Sequence, residues 1–293
     1  MQEKENHFIK NIEIKNFKCF EDFKAEGFGR VNLIGGKNNV GKTAFMEAVY
    51  INSSKEDLEQ IIGTIIISRY FSDIFADLFF EVGKKFIDNF IKEKSKDYTN
   101  SQIESNLKNL KVNTIFKNNN KAHKQGYDFF YSLIIENELE DKFDSYLKEF
   151  DNSIEKFRII NSQPNCKKNG DFYNLNEFGD GLGKFISFII TLLSQSNSII
   201  LIDEIENGIH YTNLDKLWEI ILTISKEQNV QVFATTHSKE CIESYYRVAK
   251  KLEDKDITYS IITRLKSGKL HHSLYNYALI ENSMEQEHEV RGW

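Results

Sequence analysis

The chain has 293 residues, of which 40% are hydrophobic and 28% charged, and its formal net charge is −6. This length favours one large domain or two small ones, and the composition is ordinary for a globular protein. The negative charge does not indicate nucleic-acid binding by the surface as a whole, although a local basic groove is compatible with it.

The N-terminal 17 residues carry charges throughout and contain no apolar core of a signal peptide, so we expect no secretion signal. The longest apolar runs, FISFIITLL and SIILI, are far shorter than the roughly 20 residues that span a bilayer. Three cysteines, Cys19, Cys166 and Cys241, show no C-x-x-C spacing, which favours reduced thiols over disulfides or a zinc site. We therefore expect a cytoplasmic protein that does not contact a membrane.

The first elements along the chain predict a phosphate-binding loop. Residues 8–17 alternate apolar and polar side chains, which predicts a strand, and residues 30–36 (RVNLIGG) predict a buried one. Residues 42–53 carry apolar side chains at helical spacing. Between strand and helix, residues 36–43 fit the pattern G-x-x-x-x-G-K-[ST], whose backbone N–H groups surround phosphates in that structural context.

The region between this loop and the second half of the chain gives weaker signals. We predict helices over 55–95, an exposed loop over 117–126, a strand over 129–138, a helix over 139–157, and a strand followed by turns over 157–183. The interval from 52 to 175 is too short for a long coiled-coil arm.

Strands and helices alternate regularly in the second half. Strands are predicted over 198–203, 230–235 and 256–265, and helices over 183–195, 211–227 and 238–252, with a polar tail after 265. This alternation predicts a parallel sheet covered by helices on both faces.

Two adjacent carboxylates, Asp203 and Glu204, end the strand SIILID. In a parallel sheet this edge faces the phosphate loop. Asp203 is then placed to hold Mg²⁺ beside Thr43, and Glu204 to polarise an attacking water as a general base. The alternative is an acidic cap at a helix N-terminus, where carboxylates are also favourable.

The next strand ends in Thr235, Thr236 and His237, so a histidine is expected at the same edge. There His237 can contact a γ-phosphate, whereas the alternative for an isolated histidine is a hydrogen-bonded position in the core. Upstream, Gly179, Gly181 and Gly183 open an apolar helix that leads into the acidic strand. Backbone N–H groups at such a helix start form an anion site, although an ordinary glycine turn gives the same pattern.

Five motifs in this order resemble those of soluble ATPases of the ATP-binding-cassette (ABC) superclass. They most resemble the overcoming-lysogenisation-defect (OLD) family, which is related to RecF-like and structural-maintenance-of-chromosomes (SMC) ATPases. The motifs are IKNIEIKNFKCF at the N-terminus, GGKNNVGKT as Walker A, FGDGLGK in the signature position, LIDEIENGIH as Walker B and D-loop, and ATTHS with a switch histidine. The resemblance covers residues 8–50 and 175–265.

The resemblance implies an α/β fold of the P-loop NTPase type with an ABC-type ATPase head. Such a head has a mostly parallel sheet flanked by helices, an N-terminal antiparallel β subdomain and a helical insertion. It also implies a single ATPase domain over residues 1–293, with residues 52–175 as a helical and β insertion.

The resemblance further implies a site for ATP and Mg²⁺. Lys42 would bind the β- and γ-phosphates, Thr43 and Asp203 would coordinate Mg²⁺, Glu204 would be the general base, and His237 would sense the γ-phosphate. Further nucleotide contacts would come from Gly36, Asn38, Asn39, Val40, Gly41 and Ala44 in the loop, and from Gly179, Asp180 and Gly181 in the signature turn, which would cap an ATP bound to a second subunit.

The implied active form is a head-to-tail homodimer with two sandwiched ATPs. Asp180 stands where transporters have a glycine, so we expect slow hydrolysis. OLD nucleases carry a C-terminal Toprim domain, and the stretch after 265 is too short for one. We therefore expect an ATP-hydrolysing switch that controls a separate effector, a nuclease or toxin, in phage defence. The alternatives are a repair- or chromosome-type ATPase that acts on DNA and a non-hydrolysing nucleotide-sensing scaffold.

Several further residues are candidates for a role. Gln60 and Gln163 are weak candidates for the Q-loop glutamine, and His210 occupies the place of the D-loop aspartate. Glu206 and His210, four residues apart, are more readily D-loop residues than metal ligands. His271 and His272, in KSGKLHHS, and the lysines of KNNNKAHK and CKKNG are expected in solvated turns, and the aromatic stretch 69–90 mostly in the core.

Overall fold

The computed structural model describes residues 7–70, 101–108, 110–118 and 124–285. Within these ranges no helix is long and apolar enough to cross a membrane. Residues 71–95 of the predicted helical region, and all but the first two residues of the aromatic stretch 69–90, lie outside the described residues.

A six-stranded sheet forms the centre of the fold, with strand order β12-β11-β3-β10-β9-β5. Its parallel strands are β3 (Val31–Gly35), β5 (Thr114–Asn118), β9 (Ile199–Asp203), β10 (Gln231–Thr235) and β11 (Ile257–Arg264), and β12 (Leu270–Asn276) runs antiparallel to β11 at one edge. Every residue of β3, β9 and β10 is buried, which is why these strands appear in the sequence as continuous apolar runs.

Helices cover both faces of this sheet. They are α1 (Lys42–Ser53), α2 (Leu58–Tyr70), α3 (Lys124–Glu136), α4 (Glu140–Phe150), α5 (Asp180–Leu193), α6 (Leu214–Glu227), α7 (Lys239–Lys251) and α8 (Tyr277–Glu285). Because side chains alternate along a strand, Ile200 and Ile202 of β9 pack into the core with α5, α6 and α7. Ile199 and Leu201 pack on the other side with α1 and the N-terminal sheet. The predicted covering of both faces is therefore confirmed.

The N-terminal sheet is antiparallel, as predicted. It consists of β1 (Asn11–Phe17), β2 (Phe20–Glu26) and β4 (Gln102–Ser105), with β1 in the middle. Ile14 pairs with Phe23 on one side and with Ile103 on the other. The region 52–175 therefore contributes a strand to this sheet as well as β5 to the central sheet. The assignment of 52–175 as an insertion stays a prediction.

A third sheet replaces the strand and turns predicted over 157–183. It is an antiparallel meander of β6 (Lys156–Ile160), β7 (Gln163–Lys168) and β8 (Asp171–Asn174). A short 3-10 turn over Leu175–Glu177 then leads directly into α5. The meander thus precedes the glycine-rich turn that opens that helix.

Three predictions of local structure are wrong. Residues 129–136 of the predicted strand 129–138 belong to α3, because Tyr127, Tyr131 and Ile134 recur at helical spacing and are buried, and the last two residues form a turn after it. The predicted loop 117–126 begins with the last two residues of β5 and ends with the first residues of α3. The predicted polar tail contains β12 and α8, and β12 has no fully buried residue, in keeping with its position at the sheet edge.

Candidate nucleotide-binding site

The glycine-rich loop joins the carboxyl end of β3 to the start of α1, as the motif requires. Gly36, Asn39 and Gly41 have positive φ angles of 132°, 62° and 98°. A Cβ atom on Gly36 would lie 2.5 Å from the carbonyl oxygen of Ile262, and one on Gly41 would lie 2.6 Å from Cys19 Sγ. Glycine is therefore required at both positions, which leaves the backbone N–H groups of the loop and of the helix N-terminus available to an anion.

Lys42, the first residue of α1, turns back over the loop. Its Nζ donates to the carbonyl oxygens of Gly36 at 2.8 Å and Lys37 at 3.0 Å. Burial lowers the pKa of the Lys42 ammonium. The carboxylates of Asp203, Glu206 and Glu204 raise it again, with Asp203 having the largest effect and Glu204 the smallest. The ammonium therefore lies within electrostatic reach of the carboxylate that ends β9 and of the two that follow it.

Hydrogen bonds connect the carboxyl ends of β9 and β10 to α1. Thr43 Oγ1 donates to Asp203 Oδ2 at 2.8 Å, and Thr235 Oγ1 donates to Asp203 Oδ1 at 2.5 Å. The backbone N–H of Glu204 in turn donates to Thr235 Oγ1 at 2.8 Å. Asp203 is buried and accepts with both oxygens. A hydroxyl and a carboxylate side by side are hard oxygen ligands of the kind that Mg²⁺ takes, so the residues present fit this ion.

Glu204 is exposed and adopts a left-handed backbone conformation with φ of 51°. This conformation is uncommon for a residue other than glycine, asparagine or aspartate and is found where the surrounding structure holds it in place. Here the hydrogen bond from its N–H to Thr235 holds it. The side chain therefore projects at the sheet edge, in reach of solvent, directly beside the buried Asp203.

His237 follows β10 and is brought to the same edge, because β10 lies between β3 and β9. Its Nδ1 lies 3.1 Å from Glu206 Oε1, and its backbone N–H donates to the same oxygen at 3.0 Å. The side chain of His237 is 51% exposed, whereas that of Glu206 is 11% exposed. A core position for His237 is therefore excluded.

Sequence reasoning missed this pairing of Glu206 and considered His210 as its partner. The Nδ1 of His210 instead lies 2.8 Å from Thr212 Oγ1. Within the described ranges, no group of three or more histidine, cysteine, aspartate or glutamate side chains is arranged to hold a metal ion. The signal in the sequence was a carboxylate and a histidine just after neighbouring parallel strands, but pairing them requires the strand order.

The glycine turn before α5 is exposed at Gly179 and Asp180. Gly179 caps the helix with φ of 80°, and a Cβ atom there would meet nothing within 4 Å. Further along, Lys184 Nζ donates to the carbonyl oxygen of Asn207 at 2.6 Å. Burial lowers the pKa of Lys184, whereas the nearby negative charges of Asp180 and Glu204 raise it. The helix is thus connected to the turn that follows Glu204, and its N-terminus faces solvent.

The two Q-loop candidates lie outside the central sheet. Gln60 is on α2 and Gln163 begins β7. The strand that reaches the site is β5, whose last residue, Asn118, pairs with Asp203. The carboxyl end of β5 therefore lies beside Asp203, at the edge that carries the other site residues.

Two residues expected in solvent are partly buried. His272 lies on β12 with its Nε2 at 3.0 Å from Ser260 Oγ, and burial lowers its pKa to about 4. Lys117 lies on β5, donates to the carbonyl oxygen of Ser187 at 2.7 Å, and has a pKa lowered by burial to about 7. The prediction of solvated turns is wrong for both, whereas His271 is exposed as expected.

Comparisons with known proteins found one family model and several similar proteins. A family model described as AAA domain, putative AbiEii toxin, Type IV TA system matches residues 68–243, which include Asp203, Glu204 and His237. An ATP/GTP phosphatase of Helicobacter pylori is 25% identical over 336 residues, covering 86% of this chain and 90% of its own length. The DNA replication and repair protein RecF of Bacillus cytotoxicus is 43% identical over 44 residues, covering 15% of this chain and 12% of its own length.

A solved SMC head, bound to the C-terminal winged-helix domain of ScpA, has a TM-score of 0.58 and 12% identity. The likeness covers 95% of this chain and 99% of that one. At this identity the likeness concerns the fold alone, and it confirms the predicted fold, a mostly parallel sheet flanked by helices with an antiparallel sheet beside it. Because the family model spans more than half of the sequence, this chain belongs to the family described as AAA domain, putative AbiEii toxin, Type IV TA system.

Proposed function

We propose that this chain is a Mg²⁺-dependent ATPase that works as a homodimeric switch for a separate effector protein. The observation that carries the proposal is the hydrogen-bonded set of Thr43, Asp203 and Thr235, which joins the phosphate loop to the carboxyl ends of two central strands. An isolated glycine loop would not need such a set, whereas a nucleotide site with a cation does.

In this proposal the loop binds the triphosphate and Lys42 meets its β- and γ-phosphates. The ammonium would exchange its contacts with two loop carbonyls for phosphate oxygens. Thr43 and Asp203 would hold Mg²⁺, which when bound neutralises charge on the β- and γ-phosphates. Backbone donors come from Gly36, Asn38, Asn39, Val40, Gly41 and Ala44.

Glu204 is the proposed general base. Its carboxylate takes a proton from a water while the water oxygen bonds to the γ-phosphorus and the bond to the β-phosphate oxygen breaks, which yields ADP and phosphate. His237 contacts the γ-phosphate and senses its presence. The exposure of both side chains at one sheet edge supports these roles.

The proposed dimer places a second copy across the site. Gly179, Asp180 and Gly181 open a helix whose N-terminus faces solvent, and a helix N-terminus favours an anion. These residues would cap an ATP that is bound by the loop of the other subunit. Two such sites give a dimer that ATP closes and hydrolysis opens.

We further propose that the chain belongs to the OLD group, resides in the cytoplasm and controls a nuclease or toxin in phage defence. The family description, which joins an AAA domain to a toxin–antitoxin system, supports a role of this kind. A second candidate is an ATPase that acts on DNA directly, and the short match to RecF favours it. Saturable, ATP-dependent binding of this chain to DNA would select the second candidate, and its absence would reject it.

Phosphate release and ATP binding, measured on matched variants, test the proposed reaction. Lys42→Ala should lose ATP binding. Glu204→Gln should still bind ATP, but its rate of phosphate release should fall by about 100-fold or more. Glu219→Gln, on the outer side of α6 in an ion pair with Lys251, is the matched control and should behave as wild type. Wild-type turnover by Glu204→Gln would refute the assignment of the base.

A further inference from the structure

A carboxylate that the proposed mechanism does not use lies beside its phosphate sensor. Glu206 follows β9 by three residues, and its Oε1 meets His237 twice, at Nδ1 and at the backbone N–H. One oxygen therefore holds both the ring and the peptide of the histidine, so the direction of the ring and the path of the chain after β10 are fixed together.

The contact with Glu206 decides which nitrogen of the His237 ring carries a proton. An ionised carboxylate only accepts hydrogen bonds, so Nδ1 of His237 must carry the proton. The hydrogen bond made by one imidazole nitrogen decides the state of the other. Nε2 is then turned away from Glu206, and a proton on Nε2 would make it a donor to a phosphate oxygen.

The second oxygen of Glu206 takes no part in the contact with His237. Oε2 is buried and, in the part of the chain that the structure describes, has no hydrogen-bond partner. A buried polar atom without a partner costs free energy. Glu206 is also within electrostatic reach of Lys42, in the phosphate loop. The carboxylate thus contacts His237 directly and acts electrostatically on the lysine of the phosphate loop.

We propose that Glu206 is a positioning residue that holds the proton of His237 on Nδ1 and turns Nε2 toward the γ-phosphate, to which Nε2 donates once a proton from solvent makes the ring an imidazolium. The inference rests on the proposed ATPase function and extends it to a motif residue that has no role in the proposed mechanism. Glu206 acts through His237 and does not itself touch the nucleotide.

The tautomer of His237 tests the proposal without any turnover. Long-range proton–nitrogen NMR of the nucleotide-free protein, at a pH well above the ordinary histidine range of about 6.5, distinguishes the two tautomers. The signal of His237 is assigned by its loss in His237→Asn. The wild type and Glu206→Gln, whose amide oxygen still accepts, should show Nδ1–H, whereas Glu206→Ala should show Nε2–H. An unchanged tautomer in Glu206→Ala, or Nε2–H in the wild type, would overturn the proposal.

A double-mutant cycle tests the route of the effect. Glu206→Ala and His237→Ala should each lower kcat by about 10-fold or more with a smaller change in KM, and the double variant should be no slower than His237→Ala alone. Glu206→Gln should recover most of the lost rate, and Glu219→Gln should match the wild type. Additive losses would show that Glu206 does not act through His237. If the wild type releases no phosphate, the ATPase proposal fails, and the tautomer measurement still decides the role of Glu206.

Discussion

Single residues at the candidate site are held by contacts between segments that are far apart in the sequence. Asp203 accepts from Thr43, 160 positions earlier, and from Thr235, 32 positions later. Each hydroxyl is itself buried or half-buried at the end of a strand or the start of a helix. The geometry of the site therefore depends on the register of β3, β9 and β10, and any change that shifts one strand end disturbs the others.

The glycine loop gives a prediction with an internal control. Gly36→Ala should weaken ATP binding by at least about 10-fold, since its φ of 132° strains an L-residue and its Cβ would lie 2.5 Å from a backbone oxygen. Gly170→Ala, at φ of 89° in open space between β7 and β8, should cost about 1–2 kcal/mol of stability and leave ATP binding unchanged. Titration calorimetry with Mg-ATP measures the ATP affinity of each variant. Equal affinities in the two variants would contradict the close approach at Gly36.

The sequence was informative for residues whose motifs are contiguous. Asp203, Glu204 and His237 each follow an apolar run, so their place at one sheet edge was predictable. The contact of Glu206 with His237 was not, because it crosses 31 positions and depends on β9 and β10 being neighbours. The burial of His272 was hidden for a similar reason, since Phe23 and Phe28 lie near its ring only after β12 joins β11.

At the scale of elements, a buried ion pair holds the beginning of β3 at the end of the sheet opposite the site. The guanidinium of Arg30 bonds to Asp254 and to Ser225 and donates to the carbonyl oxygen of Leu222 at 3.1 Å. The side chains of Arg30 and Asp254 are 6% and 8% exposed. These contacts connect β3 to α6 and to the segment between α7 and β11.

Removing one partner of that ion pair should strongly lower the free energy of unfolding. Arg30→Met leaves the Asp254 carboxylate buried without its cation, so the free energy of unfolding should fall by about 3–5 kcal/mol. Lys251→Met breaks the exposed pair with Glu219 and should change it by about 1 kcal/mol or less. Urea unfolding of the two variants beside the wild type is the measurement. A loss in Arg30→Met as small as that in Lys251→Met would contradict the structural importance of the pair.

Stability should depend on pH because His272, on the edge strand β12, is partly buried. Burial lowers the pKa of His272 to about 4, whereas an unfolded histidine titrates near 6.5. Between these values the unfolded state binds more protons, so stability that is fully present above pH 6.5 is lost as the pH falls toward 4. Urea midpoints at several pH values in this window should fall more steeply for the wild type than for His272→Gln, which cannot titrate. Parallel curves would show that His272 is not buried in this way.

Element types were predictable where the pattern was long and regular. The strands β9 and β10 and the helices α6 and α7 have uninterrupted apolar runs or clear helical spacing. The strands β4 and β5 have four and five residues and pair with partners far along the chain, so no local pattern identified them. The error over 129–138 came from a short apolar run that suits a strand or a buried helix equally well.

On the scale of the whole molecule, the proposed dimer explains why the site is open. Gly179 and Asp180 face solvent at the start of α5, and Glu204 and His237 are exposed at the carboxyl edge of the central sheet. We propose that a second copy covers these surfaces when ATP is bound. We also propose that residues 52–175 form an insertion in one ATPase domain, although its strands β4 and β5 complete the two sheets beside the site.

Solution mass with and without Mg-ATP, measured by light scattering on the wild type and Glu204→Gln, tests this central claim most directly. The chain mass is 34.3 kDa. We predict a monomer without nucleotide, a dimer of twice that mass with Mg-ATP, and a dimer that persists in Glu204→Gln because the nucleotide is not hydrolysed. A mass that does not change with Mg-ATP in either protein would contradict an ATP-driven switch.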